Sequence, residues 1–251
     1  MPTLFLDIDN TLIYSHRRTM TGERLVAEML NGKEQSFISR KTYAWLVSRR
    51  ELQIVPVTTR TLPQFQRLER LMGELGCGEA LICNGAILLH EMEPDRRWLE
   101  ESLSLAAGEL PQIEKAAQWL RERCGDASTH EAGGMLVYAG TEDPEGLASA
   151  LRREVDPDRA DVLWDHRKLY CIPKSLNKGS AVRRFSERFG VPVSAAAGDS
   201  EFDLPMLEEA EIAIAPASLA ERLKNPNTHA VGECACFSDA ICGILDRIFF
   251  S

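Results

Sequence analysis

The stretch TLFLDIDNTLIY, Thr3–Tyr14, constrains the fold more than any other part of the chain. Its apolar run, Thr3–Ile8, reads as a strand buried on both faces. That strand hands two carboxylates, Asp7 and Asp9, to whatever lies at its end. Carboxylates that close a buried run are costly unless something compensates them. A strand of this kind suits a covered parallel sheet, and such sheets bind ligands outside their carboxyl ends.

Four more runs read as buried strands: Leu52–Thr58, Ala80–Leu89, Val193–Asp199 and Ile212–Ala217. Helical patterns sit between several of them. RKTYAWLVSRRE precedes the second run, and LPQFQRLERLMGELG follows it with Phe65, Leu68, Leu71, Met72 and Leu75 at helical spacing and Gly76 as a stop. KGSAVRRFSERFG and FDLPMLEEA flank the fourth run. The alternation predicts an α/β fold, a doubly wound and mostly parallel sheet.

Two segments interrupt that rhythm. Residues 24–39 hold two short runs around Asn31-Gly32, a strong hairpin signal, and predict a flap after the first strand. A helix through GERLVAEML competes with it. From residue 89 to 173 the chain reads as strand, helix, strand, helix, strand, an α+β unit large enough to be an inserted domain. The expected division is therefore a core of residues 1–88 and 174–251 with an insert of residues 89–173.

Composition narrows the function. A formal charge of −9 argues against nonspecific nucleic-acid binding, which draws on Lys and Arg. No run approaches the ~18 apolar residues of a membrane helix, and no basic, apolar leader opens the chain. Seven cysteines without a CxxC pair suit small buried thiols in a reducing compartment, so a cytoplasmic protein is expected.

The strand ends carry the chemistry. After the first come Asp7, Asp9, Asn10 and Thr11; after the second, Thr58, Thr59 and Arg60; after the third, Asn84-Gly85; after the fourth, Asp199, Ser200 and Asp203. LNKGSA adds Lys178 at a helix start. Clustered carboxylates raise one another's pKa and need a cation to coexist. Oxygen ligands without thiol or imidazole favour a hard ion, Mg²⁺. A lysine and a hydroxyl beside such a metal receive phosphoryl oxygens, so the inventory fits phosphoryl transfer.

DIDNTL resembles the first motif, DxDx[TV], of the haloacid dehalogenase superfamily of phosphotransferases. VPVTTR is similar to its second motif, NKG to its third and GDSEFDLPML to its fourth, in family order. The insert between the second and third motifs resembles the type IIB cap of Cof-like and sucrose-phosphate phosphatases. The resemblance implies Asp7 as nucleophile and Asp9 as general acid and base. It implies a metal held by Asp7, the Asp9 carbonyl and Asp199, with Asp203 behind it or on its water. Thr58, rather than Thr59, and Lys178 would bind the phosphoryl group. Arg60 and Asn84 are possible substrate contacts, and for Arg60 a structural ion pair is the alternative.

Two residues depart from the family pattern. Asn10 stands where Gly is common, and Asn tolerates unusual turn dihedrals. Phe202 stands where Cof-like members have Asn, which bears on the metal loop. In the cap, Arg96, Arg97, His130, Glu131, His166, Arg167 and Lys168 are candidate contacts, and DHRK (Asp165–Lys168) suggests a second anionic group on the substrate. The expected activity is a Mg²⁺-dependent phosphomonoester hydrolase for a small phosphorylated metabolite, a sugar phosphate foremost. A sugar phosphomutase and a non-catalytic sugar-phosphate-binding regulator are the alternatives. A dinucleotide-binding oxidoreductase and a P-loop enzyme lack their glycine motifs here.

Overall fold

The structure, a computed structural model, describes residues 1–234 and 236–250. Five parallel strands form the main sheet in the order Thr228–Val231, Ile212–Pro216, Ala195–Ala197, Thr3–Leu6 and Gln53–Pro56. A single parallel bridge between Val57 and Leu81 carries the sheet one position further. Leu4, Leu6 and Ile54 face one hydrophobic layer, and Phe5, Val55 and Ala196 face the other. Both faces are therefore buried, which is why these strands read as continuous apolar runs.

The run Ala80–Leu89, expected to be one strand, is two. Glu79–Ile82 and Ile87–His90 pair antiparallel about a turn at Cys83–Gly85. Cys83, Asn84 and Gly85 all adopt positive φ there, a conformation that a continuous strand cannot contain. Gly85 is obligatory for a second reason: a Cβ on it would lie 2.2 Å from that of Ala181. Residues 24–39 form the hairpin and not the competing helix, with strands Arg24–Leu30 and Lys33–Ser39. Asn31 and Gly32 have φ of 53° and 73°, the geometry two-residue hairpin turns require.

The helix expected from Leu62 to Leu75 is interrupted between Leu62–Gln66 and Glu69–Leu75, and Gly76 ends it in the left-handed conformation. Lys178–Phe189 is a helix whose start is fixed by Asn177. Its Oδ1 accepts from Ser180 N at 2.9 Å, while Ser180 Oγ accepts from Asn177 N at 3.2 Å.

The insert contains a four-stranded antiparallel sheet in the order Ala160–Asp165, Lys168–Pro173, Leu136–Gly140, Thr129–Ala132. Helices Leu110–Cys124 and Pro144–Leu151 cover one face, sharing a layer with Val137, Leu169 and Cys171. The opposite face carries Leu136, Tyr138, Tyr170 and Ile172, which join the core's own hydrophobic layer. The strands at 129–132, 160–165 and 228–231 and the helix Arg96–Ala106 are elements that the sequence pattern did not disclose.

That last helix packs on the core. Asp95 caps it by accepting from Trp98 N at 2.7 Å, and buried Trp98 donates its indole N–H to the Gly85 carbonyl at 3.1 Å. The Arg184 guanidinium lies 3.9 Å from the Trp98 ring. Past this helix, the chain leaving the core and the chain returning to it touch. The Glu109 carboxylate accepts from both the amide and the hydroxyl of Ser175, at 3.0 and 2.7 Å.

Candidate active site

Every strand-end residue singled out in the sequence lies on one rim of the parallel sheet or in the turns beside it. Asp7 follows the strand Thr3–Leu6 and keeps its ladder, donating N–H to the Ala197 carbonyl at 3.0 Å. Its side chain meets Lys178 Nζ at 2.6 Å, and the same ammonium lies 2.5 Å from Asp203 Oδ1. Lys178 is 1% exposed although it opens a helix. The helix can come this close because Gly179 lies against the Pro205 backbone, where a Cβ would meet the carbonyl oxygen at 2.4 Å.

The second oxygen of Asp203 is heavily used. Oδ2 accepts from Asp199 N, Ser200 N and Ser200 Oγ at 3.1, 2.9 and 2.9 Å. Gly198 makes room for it, since a Cβ there would lie 2.4 Å from Asp203 Cβ. Asp199 points the other way and accepts from Thr11 Oγ1 at 2.9 Å. Asp7, Asp199 and Asp203 each offer an oxygen within 4.8 Å of the others.

One ammonium does not neutralise three carboxylates. Burial, with the charges of Asp203 and Asp199, raises the Asp7 carboxyl well above its ordinary range despite Lys178. Burial and Asp203 push Asp199 up to about 7. For Lys178, burial alone would favour the neutral amine, but Asp203 and Asp7 outweigh it and hold the ammonium charged. The uncompensated charge and the all-oxygen donor set fit a hard divalent cation.

Asp9 faces different partners. Arg60 grips its carboxylate with a two-pronged fork, Nε to Oδ2 and Nη2 to Oδ1, both at 2.8 Å. Withdrawal from solvent works against the charged form, but the Arg60 hydrogen bonds and charge, aided by Lys168 and Lys178, win and hold Asp9 below its ordinary value. Arg60 thus engages Asp9 directly, the ion-pair alternative left open by the sequence. Thr58 is 1% exposed and its Oγ1 accepts from Arg60 N at 3.2 Å. Thr59 shares a side-chain hydrogen bond with Tyr170. Asn84 is buried, donates Nδ2 to the Leu176 carbonyl at 3.2 Å and leaves Oδ1 without a partner. Asn10 takes a φ of 62°, the left-handed turn that its type tolerates.

The cap reaches this rim through DHRK. His166 Nε2 lies 3.4 Å from Asn10 Nδ2, and Lys168 is near enough to Asp9 to help lower its pKa. Burial raises the Asp165 carboxyl, with Asp9 and Asp203 adding to it. Behind the turn, His130, Tyr138, Tyr170 and Phe202 form an aromatic file with centroid spacings of 5.0, 5.4 and 5.1 Å. Phe202, the departure from the family motif, is thereby the core's end of a cap contact. Arg167 and Glu131 are engaged elsewhere, with Glu142 and Arg121. Arg97 pairs with Glu101 on the helix Arg96–Ala106, which packs on the core. Glu28 and Tyr170 escaped the sequence reading. A lone Glu in RLVAEML carries no signal that it points inward, and Tyr170 reads as one more apolar strand residue.

A family model described as haloacid dehalogenase-like hydrolase matches residues 125–235. No curated protein sequence matches the chain. Among solved structures, the sucrose-phosphatase of Synechocystis sp. PCC6803, in complex with sucrose and phosphate, is similar with a TM-score of 0.62 at 15% identity over 100% of this chain and 99% of that one. The HAD subclass IIB sugar phosphatase BT4131 is similar at 0.63 and 15%, covering 99% of each chain. BT1666 from Bacteroides thetaiotaomicron, among the phosphatases of the haloalkanoate superfamily, gives 0.60 at 16% over 98% of this chain and 94% of that one. The chain thus shares the fold of these phosphatases, and over residues 125–235 it matches the haloacid dehalogenase-like hydrolase family.

Proposed function

We propose that the protein is a Mg²⁺-dependent phosphomonoester hydrolase for a small phosphorylated metabolite, a sugar phosphate foremost, working through an aspartyl-phosphate. One observation carries the reading: Asp7 stands at the carboxyl edge of the sheet with Lys178 at 2.6 Å, while Asp9, two residues on, is held apart by Arg60. The pair therefore divides into a carboxylate beside a phosphoryl-binding cation and a carboxylate free of it.

Asp7 attacks phosphorus in line and forms the acyl-phosphate bond as the leaving oxygen departs. Asp9 enters the first step protonated and gives that oxygen its proton; then, as the carboxylate that Arg60 stabilises, it takes one from the water that hydrolyses the intermediate. Its side chain keeps 47% of its exposure, so water has access to it. Lys178 and Thr58 meet the phosphoryl oxygens and offset charge gathering on them. Asp7, Asp199 and the Asp9 carbonyl would hold Mg²⁺, with Asp203 fixing the loop that carries Asp199. The bound ion would offset the negative charge that carboxylates and phosphate bring together. A sugar as leaving group is supported by the fold shared with the two sugar phosphatases above.

The test is a panel of phosphorylated sugars and polyols with Mg²⁺, scored for free phosphate and for isomerised sugar. Release of phosphate from at least one member is expected. Isomerisation without release would replace the hydrolase with a mutase, and binding without either would make the protein a sensor.

A further inference from the structure

We propose that Glu28, on the flap hairpin, is a positioning residue for proton transfer: it anchors Arg60 so that the guanidinium fork keeps the Asp9 carboxylate aimed at the leaving oxygen. The inference rests on the phosphatase reading above.

Glu28 is 2% exposed, an uncommon situation for a carboxylate unless it is paired. It is turned inward by an irregularity in the hairpin. The register shifts on both sides of Glu28, and Ala27 and Glu28 are consecutively buried where a regular strand would alternate. Bulges of this kind re-aim a side chain. Once inside, Glu28 Oε2 accepts from Ser36 Oγ at 3.0 Å and from Arg60 Nη2 at 3.1 Å. Arg67 Nε lies 2.8 Å from the other oxygen, approaching as a charge without an aligned hydrogen bond.

The nitrogen that Glu28 holds, Arg60 Nη2, is the one that holds Asp9 Oδ1 at 2.8 Å. Nε takes the other Asp9 oxygen and Nη1 donates to the Gln64 carbonyl at 3.2 Å. The guanidinium is thus held by Glu28 and Asp9 together at Nη2, by Asp9 at Nε and by the Gln64 carbonyl at Nη1. Without the Glu28 anchor the fork and the carboxylate it carries can swing as a unit. Proton transfer depends on placement of that carboxylate, so the flap contributes to the reaction without touching substrate.

The experiment compares two aryl phosphates of similar shape. p-Nitrophenolate leaves readily without a proton, whereas phenolate depends on one. kcat/KM reports steps through leaving-group departure, so later hydrolysis of the aspartyl-phosphate does not mask the difference. With Mg²⁺ and full-length protein, Glu28→Gln should lower kcat/KM for phenyl phosphate roughly tenfold more than for p-nitrophenyl phosphate. Ser36→Ala, which removes only the hydroxyl bonded to Glu28, should shift the same ratio about threefold. Equal losses on both substrates, with a lowered melting temperature, would make Glu28 a structural ion-pair partner and overturn the proposal. If Glu28→Gln does not fold, an unchanged ratio in Ser36→Ala overturns it instead. A wild-type protein inert toward both substrates removes the phosphatase reading, and this inference falls with it.

Discussion

Asp7 and Asp9 are two residues apart, yet their surroundings are electrically opposite. Around Asp7 one buried ammonium serves three acids, and the Asp7 and Asp199 carboxyls are pushed up. Around Asp9 two guanidinium groups serve two acids, and Asp9 is held down. The first region is short of positive charge and the second is balanced. The contrast teaches how a single turn can place one carboxylate in a cluster short of positive charge and its neighbour in a balanced ion pair. Within a strand two residues at this spacing would share a face, but the strand ends at Leu6, and in the turn beyond it each carboxylate meets a cation from a different element.

The comparison breaks most sharply on activity. Asp7→Asn should lower phosphate release from p-nitrophenyl phosphate by more than roughly a thousandfold, because an amide is far too weak a nucleophile to form the acyl-phosphate. Retained turnover in that variant would remove Asp7 as nucleophile.

Charge deletion sharpens the contrast in stability. Lys178→Met leaves Asp7 and Asp203 buried without their cation, at a cost of about 3–5 kcal/mol, read as a melting temperature lowered by about 10 °C. Mg²⁺ should restore part of that loss. Arg60→Met also breaks a buried pair, but Mg²⁺ should restore none of it, since Glu28 and Asp9 lie outside the acid cluster. Equal rescue of both variants would mean that the two regions are not electrically separate.

A smaller effect concerns pH. Asp199 sits at about 7 in the folded chain against an ordinary 3.8. A carboxyl raised on folding contributes stability that is present below about 4 and is lost as pH rises through about 7. In a chelator, Asp199→Asn should therefore gain on the wild type by a few degrees in melting temperature between pH 5 and pH 8. Added Mg²⁺ should reverse the order. A difference that stays constant with pH would show that Asp199 carries no excess charge.

The smallest effect lies at the cap. Tyr170 and Phe202 meet edge to face at 76°, and a double-mutant cycle with Leu at both positions should give a coupling of about 0.5–1.5 kcal/mol. Zero coupling would detach the loop of Asp199 and Asp203 from the cap.

The sheet and its rim were legible in the sequence because burial on both faces leaves unbroken apolar runs and because the polar residues cluster where those runs stop. Asp7, Asp9, Thr58, Asp199 and Asp203 could be located that way, and Lys178 by its place at a helix start. The pairings among them could not, since Asp9 meets Arg60 and Asp203 meets Lys178 across separations that no local pattern encodes. Ala80–Leu89 was misread because hydrophobicity continues through a turn made by backbone dihedrals. Glu28 was invisible because a bulge breaks the alternation that would have placed it. Arg96–Ala106 was passed over because its buried side is narrow, resting on Trp98, Ser102 and Ala106.

The contact between Glu109 and Ser175 has a consequence for engineering. Because the outgoing and incoming chains meet there, the core sees everything between them as an excursion that leaves and returns at one point. An insertion whose ends already touch can be exchanged for another of different size without re-routing its host. A graft made at this joint would hand the same acid rim a new roof, and with it a new set of molecules to sit beneath.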